Sequence, residues 1–542
     1  MNFKIKRCFK PILILALTQI AFPQSIELFA QNQKTASHLK QRPEVIYHVV
    51  QRSFYDSNAD SHGDFAGLKS KLDYLEDLGI TAIMLLPIVE SPFYHNYFSG
   101  NHEKIDPKFG SMQDWIELVK EAHKRDMKIY MDLEFQYITE DHEWFKDAIG
   151  NPKSPFSNYL LFNEPGNKKP ESIIFNLTEL TGYDQQKRTV TTINLKSPEV
   201  QGYFLKLLLR WADPNGDGKF DDGVDGFRLD HMMDKLDGKE KLNNLFATFW
   251  KPLITNLKTK NKNLIFIAEQ ADWNNFGESY FEQGGVDRVF AFKLREAIAS
   301  MNKKKIMGAA DSTFSKTPPG KQQIVFLENH DMTRIASAIP HDVSELKAAA
   351  ALSLLIGGIP AIYYGQELGM KGDGGFQKFG NTDGNDIPVR EAFEWFKSDS
   401  GNGMAIWYKN TGPWWDQTNL KANDGISLEE QNKDPNSLFK TYQELLKVRK
   451  KEEGLANGRF SPLQNPNEEV VSFQRKKGAD TYIIAVNLSD DPQKTQVDLG
   501  KNQFYPSGNY SSLFGNEKAK LNPNQKLDLD MKPFGIGIYK VK

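Results

Sequence analysis

From residue 44 onward, short apolar runs of β type alternate with longer stretches whose apolar residues recur three and four apart. This alternation constrains the fold more than any other feature of the sequence. Eight strands are predicted, at residues 45–49, 82–85, 128–131, 226–229, 265–268, 288–292, 324–327 and 361–364. Helical patterns fall between them, among them 112–125, 203–211 and 345–355. Successive βα units lay parallel strands side by side with helices outside, so eight of them predict a closed (β/α)8 TIM barrel, an α/β fold. Such a barrel needs about 250 residues, and the chain has 542. The gap between the third and fourth strands exceeds what one helix needs and is rich in Asn, Pro, Gly and Ser over 151–187, which predicts an inserted subdomain at 138–195. After residue 460 alternating strands such as 470–474 and 481–487 follow one another between polar turns. They predict a C-terminal antiparallel β-domain over 456–542, after a barrel domain at 41–455.

The first residues read as an address. Lys4, Lys6, Arg7 and Lys10 precede an apolar run from Pro11 to Phe22 that is too short to span a bilayer, as in a signal peptide over residues 1–30. The single cysteine, Cys8, leaves with that peptide. A chain without thiols then suits a periplasm or the extracellular space, with no stable membrane span after removal; an uncleaved anchor is the competing reading. A formal net charge of -2, with both signs interspersed, provides no basic footprint for nucleic acid. The 12% aromatic share suits sugar-stacking surfaces as well as packing.

In a parallel barrel the side chains just past the C-terminal ends of the strands converge on one face. Three acids fall at that position: Asp230 in GFRLD, Glu269 in IFIAE and Asp331 in FLENHD. Carboxylates brought together repel, so one keeps its proton while the others ionise. Glycoside cleavage uses that division, with an acid for the leaving oxygen and a carboxylate about 5 to 5.5 Å away for the anomeric carbon. Arg228, two residues before Asp230, faces the same side of its strand, and His330 adjoins Asp331. Any one of these acids alone reads equally well as a strand end, a helix cap or half of an ion pair.

Together the motifs make the chain resemble the α-amylase family, glycoside hydrolase family thirteen. The resemblance runs from VIYHVVQRSFYDSNADSHGDFAGL through LDYLEDLGITAIMLLPIVESP, IDPKFG, GFRLD, AEQ, FLENHD and GIPAIYYGQELGM to DPNSLFKTYQELLKVRK. It implies Asp230 as nucleophile, Glu269 as general acid/base and Asp331 as stabiliser of the transition state. It further implies Tyr97 as an aromatic platform, Arg228 and His330 as residues that hold the nucleophile and the sugar, and Asp386 with Arg390 as a substrate-binding pair. The activity it implies is retaining hydrolysis of α-glucosidic bonds in an oligo- or polysaccharide. Transfer to another sugar, isomerisation, and a carbohydrate-binding protein without turnover are the alternatives. The segment MDLEFQY departs from the family pattern, with Gln136 and Tyr137 where asparagine and histidine are usual, and Phe98 replaces an acid after the platform tyrosine.

Two loops carry oxygen ligands at alternate positions, as a hard cation such as calcium requires. DSNADSHGD offers Asp56, Asn58, Asp60 and Asp64, and DPNGDGKFDDG offers Asp213, Asn215 and Asp217. The resemblance implies structural calcium at the first. The second begins like an EF-hand, but its twelfth position is Val224 and a strand follows, so it is not one. For both, an Asn/Asp/Gly turn held by its own side chains is the competing reading.

Overall fold

The apolar runs bury both faces, as strands of a helix-covered parallel sheet must. In the computed structural model, which describes residues 42–339, 342–500 and 505–541, they form β1 (Ile46–Val49), β2 (Ala82–Leu85), β3 (Lys128–Leu133), β4 (Gly226–Met232), β5 (Ile265–Gln270), β6 (Arg288–Phe290), β7 (Gln322–Val325) and β8 (Ile359–Tyr363). Each pairs in parallel with the next and β8 pairs with β1, closing the predicted barrel. The leader expected at 1–30 lies outside the described residues. No helix among those described is long and apolar enough to cross a membrane.

The strand limits differ from prediction in ways that matter for the site. β4 and β5 run further than expected, so Asp230 and Glu269 belong to the strands themselves instead of following them. β6 stops early because Phe292 opens the helix Phe292–Ala299. Gly226 begins β4 where a Cβ would lie 2.2 Å from the Ile265 carbonyl oxygen, so only glycine lets β4 lie this close to β5.

Helix starts follow local chemistry. Ser111 and Asp114 form a reciprocal capping box on Met112–Lys124, and Ser197 caps Pro198–Ala212 with Pro198 in the first turn. The insertion after β3 folds as an antiparallel sheet in which Lys187–Thr192 lies between Tyr137–Thr139 and Glu179–Thr181. The C-terminal region forms two four-stranded antiparallel sheets with a shared apolar core. Arg475 ties it to the barrel by donating to the Ile356 carbonyl at 2.9 Å.

The N-terminal end of the barrel is closed by charge. Glu44 accepts from Lys128 Nζ at 2.8 Å, Tyr130 OH at 2.8 Å and Arg288 Nη2 at 3.1 Å. Burial pushes the Glu44 carboxyl up, but Arg288 and Lys128 outweigh it and bring the pKa from 4.5 to about 2. The pairing therefore contributes fully above pH 4.5 and is lost as the pH falls through about 2. Arg288→Met leaves Glu44 partly unpaired and is expected to cost about 3 kcal/mol in urea unfolding near neutral pH. The difference from wild type should shrink below pH 4.5, and Glu44→Gln should recover part of it.

Candidate active site

Residues two apart in a strand face the same way, so β4 presents Arg228 and Asp230 to the barrel axis together. The fully buried Arg228 guanidinium is the hub of the site. Its Nη1 donates to Asp132 Oδ2 at 2.6 Å and to Asp230, and its Nη2 to Glu269 Oε2 at 2.8 Å. Asp132 from β3 is wholly enclosed behind it, whereas the side chains of Glu269, Asp230 and Asp331 are 9%, 15% and 31% exposed and face the opening. The predicted trio thus meets on one face. The β4 and β5 ladder shifts register between Ala268 and Gln270, and His231 adopts a left-handed φ of 50°. This bulge turns the His231 amide towards Glu269 Oε2, 3.2 Å away.

The acids are driven apart in proton affinity. Burial would raise Asp230, but Arg228 and a hydrogen bond from Glu134 hold it below the usual range. Burial raises Glu269 well above that range; Arg228 opposes, while Asp230 and Asp331 add to the rise. Asp331 is held low against burial by His330, 3.0 Å away, and by Arg390, 2.9 Å away. Near neutral pH the three acids that face the opening are therefore two carboxylates and one carboxylic acid, backed by Asp132, which burial raises to about 7.

Around Asp331 the remaining predicted residues assemble. Tyr97 OH donates to Asp132 Oδ2 at 2.7 Å and lies 2.6 Å from His330 Nε2, with the two rings stacked. His330 is thus occupied by Tyr97 and Asp331. Arg390 reaches Asp331, the His330 carbonyl at 2.8 Å, Tyr94 OH at 2.9 Å and Asp386 at 3.5 Å.

The departures from the family pattern have local partners. Gln136 turns its amide to the carbonyls of Asp230 and His231, both at 2.9 Å, and so pins the bulged end of β4. Tyr137 OH donates to Asp237 Oδ2 at 2.7 Å, beside Lys239 Nζ at the same distance. Phe98 packs edge-on against Phe93, His95 and Tyr137. Sequence reasoning missed Glu134, a buried carboxyl that shares a hydrogen bond with Asp230 and is itself raised by burial and by that neighbour. The alternation of MDLEF held the signal, since Asp132 and Glu134 are two apart.

The acidic loops lie apart from this cluster. Asp56 accepts from the amides of Asn58, Ala59 and Ser61 at 2.7–3.1 Å, and Asn58 accepts from the Asp60 amide at 3.0 Å. Asp60 pairs with Lys108 at 3.0 Å, and Asp64 caps the helix Phe65–Ser70 through the Gly67 amide at 2.7 Å. In the second loop Asp213 accepts from the Gly218 amide at 2.9 Å, Asn215 from Asp217 at 2.8 Å and Asp217 from Lys219 at 2.9 Å. Among the described residues, the His and acid side chains whose ligand atoms converge within 4.8 Å are Asp132, Asp230 and His330. Arg228 already donates to both aspartates of that group.

Known proteins resemble this one over most of the chain. Residues 48–458 match the family described as alpha amylase, catalytic domain. Alpha-amylase 3 of Dictyoglomus thermophilum is 28% identical over 452 residues, covering 82% of this chain and 84% of that protein. The trehalose synthase/amylase of Mycolicibacterium smegmatis is 28% identical over 523 residues, covering 84% and 85%. The crystal structure of an alpha-amylase from H. orenii superposes with a TM-score of 0.76 at 25% identity, covering 93% of this chain and all of the other.

The electrostatic ordering is open to a direct measurement. Asp230→Asn removes a negative neighbour of Glu269 and is expected to lower its pKa, followed by 13C carboxyl NMR as the pH is varied. A rise would contradict the ordering.

Proposed function

The chain belongs to the α-amylase family, and on that premise we propose that it hydrolyses α-glucosidic bonds of an oligo- or polysaccharide with net retention, through a glycosyl-enzyme on Asp230. The observation that carries the reading is that Asp230 and Glu269 are held on one guanidinium, in surroundings that lower the proton affinity of the first and raise that of the second. Two carboxyl groups in contact leave no space for the water that an inverting pair of acids must hold between them.

In the first step an oxygen of Asp230 bonds to the anomeric carbon while the glycosidic C–O bond breaks, and Glu269 gives its proton to the departing oxygen. Asp331, anionic through Arg390 and His330, faces the positive charge that develops on the ring. In the second step Glu269, now ionised, takes a proton from water as that water attacks the anomeric carbon and releases Asp230. Arg228 keeps Asp230 ionised and oriented in both steps. A sugar hydroxyl in place of that water would give transfer, and an amylase and a trehalose synthase/amylase both stand among the relatives.

Calcium at the acidic loops is part of the proposal, as a structural cross-link outside the chemistry. At the second loop the support is that Asp213 Oδ1 and Asp222 Oδ1 are buried without a hydrogen-bond partner, although the ion would compete with Lys219 for Asp217. Asp213, Asn215 and Asp217 would hold it, with Asp222 as an added ligand. At the first loop the ion would compete with Lys108 for Asp60. The basic and apolar leader supports export to the periplasm or the extracellular space.

Glu269→Gln is expected to lower kcat/KM on maltooligosaccharides by about 10²- to 10⁴-fold, and much less on an α-glucoside whose leaving group needs no proton. NMR of fresh product should show the α-anomer first; initial β-anomer, or equal losses on both substrates, would defeat the assignment. Longer or rearranged products would make transfer the main reaction. Calcium added to chelator-treated protein is expected to raise the melting temperature, with the rise lost in Asp213→Ala if the second loop is the site. No rise in the wild type would remove calcium from the proposal.

A further inference from the structure

The two most exposed large apolar side chains among the described residues are Phe175 and Phe376, at 62% and 63%, and they touch each other. Their ring centroids are 4.7 Å apart, with planes inclined by 43°. Phe175 comes from the insertion after β3 and Phe376 from the loop after β8. A contact made only for stability would bury apolar area, yet this pair keeps most of both rings in water.

Its backbone supports a role outside packing. Phe175 has φ 59° and ψ 19°, and Asn176 also has a φ of 59°. The left-handed region is unfavourable for a bulky residue, and strain of this kind persists where a side chain must be displayed. The turn is closed beneath it by the Ile173 amide on the Leu177 carbonyl at 2.8 Å.

Phe376 is coupled to the active site through its neighbours. The Gly375 amide hydrogen-bonds Asp386, and at Gly374 a Cβ would lie 2.8 Å from Asp386 Oδ1, so glycine allows the loop to close on that carboxylate. Asp386 meets Arg390, which holds Asp331. The two loops are also joined, with Thr181 bridged to Thr382 and the Asn381 side chain donating to the Glu179 carbonyl at 3.3 Å. The phenylalanines therefore stand where insertion and barrel loop meet, linked to Asp331 through Asp386 and Arg390.

We propose that Phe175 and Phe376 form a stacking ledge at the mouth of the cleft for a pyranose ring of the glycan chain, separate from the ring that is cleaved. The apolar C–H face of a pyranose packs on an aromatic face, and two inclined rings offer such a surface without polar groups to desolvate. The ledge rests on the reading of the chain as an α-glycosidase and makes it selective for longer substrates.

The test compares wild type, Phe175→Ala, Phe376→Ala and the double variant on maltoheptaose and on a short activated α-glucoside. Removing the rings is expected to lower kcat/KM on maltoheptaose by about 5- to 30-fold, mainly through KM. The short substrate should change less than twofold, and melting temperature should not change, since both rings are exposed. Phe376→Trp should restore the long-substrate rate. Equal losses on both substrates, or no loss on either, would overturn the ledge. If the wild type cleaves neither substrate, the glycosidase reading fails instead. The ledge is then judged by calorimetric titration of maltoheptaose, where weaker binding by the double variant upholds it and unchanged binding overturns it.

Discussion

A single buried guanidinium organises this molecule. Arg228 sits behind the opening of the barrel and donates to carboxylates from three strands, Asp132 of β3, Asp230 of β4 and Glu269 of β5. An isolated cation there would be costly, and so would acids crowded together without one. Each makes the other tolerable. Because one positive charge serves several acids, the carboxyl group with the least compensation keeps its proton. Among the acids that face the opening that group is Glu269, while burial also raises the enclosed Asp132, to about 7, so acidity is a property of the cluster.

The barrel divides its charged networks by end. At the N-terminal end Glu44 is enclosed by Lys128, Tyr130 and Arg288, an arrangement whose role is to close the barrel. At the C-terminal end the acids remain partly open, and the backbone near them is strained at the bulge of β4 against β5 and at the left-handed His231. Gln136 absorbs part of that strain by binding the two carbonyls that the bulge exposes. The residue standing where the family has an asparagine thus supports the strand that carries Asp230.

Legibility in the sequence followed the range of the interaction concerned. The eight strands and the pairing of Arg228 with Asp230 were readable because periodicity is local, repeating every two residues in a strand and about every 3.6 in a helix. The motifs around Asp230, Glu269 and Asp331 were readable for the same reason, since each is a run of neighbours ending in an acid. Glu134 escaped notice although the same period of two carries it, because nothing in MDLEF announces which carboxyl it will meet. The extension of β4 and β5 past their apolar runs was hidden as well, because barrel neighbours and not residue preferences prolong those strands.

By itself, then, the sequence determined the barrel, the order of its acids and the chemistry that acids at strand ends can perform. Only the tertiary structure decided that the guanidinium beside Asp230 also joins Asp132 and Glu269, that Gln136 turns to backbone instead of to a ligand, and that Phe175 meets Phe376 across two loops. Each of these is a contact between groups far apart in the chain, and such contacts are set by strand register and by loop paths in three dimensions, which no local pattern of residues records.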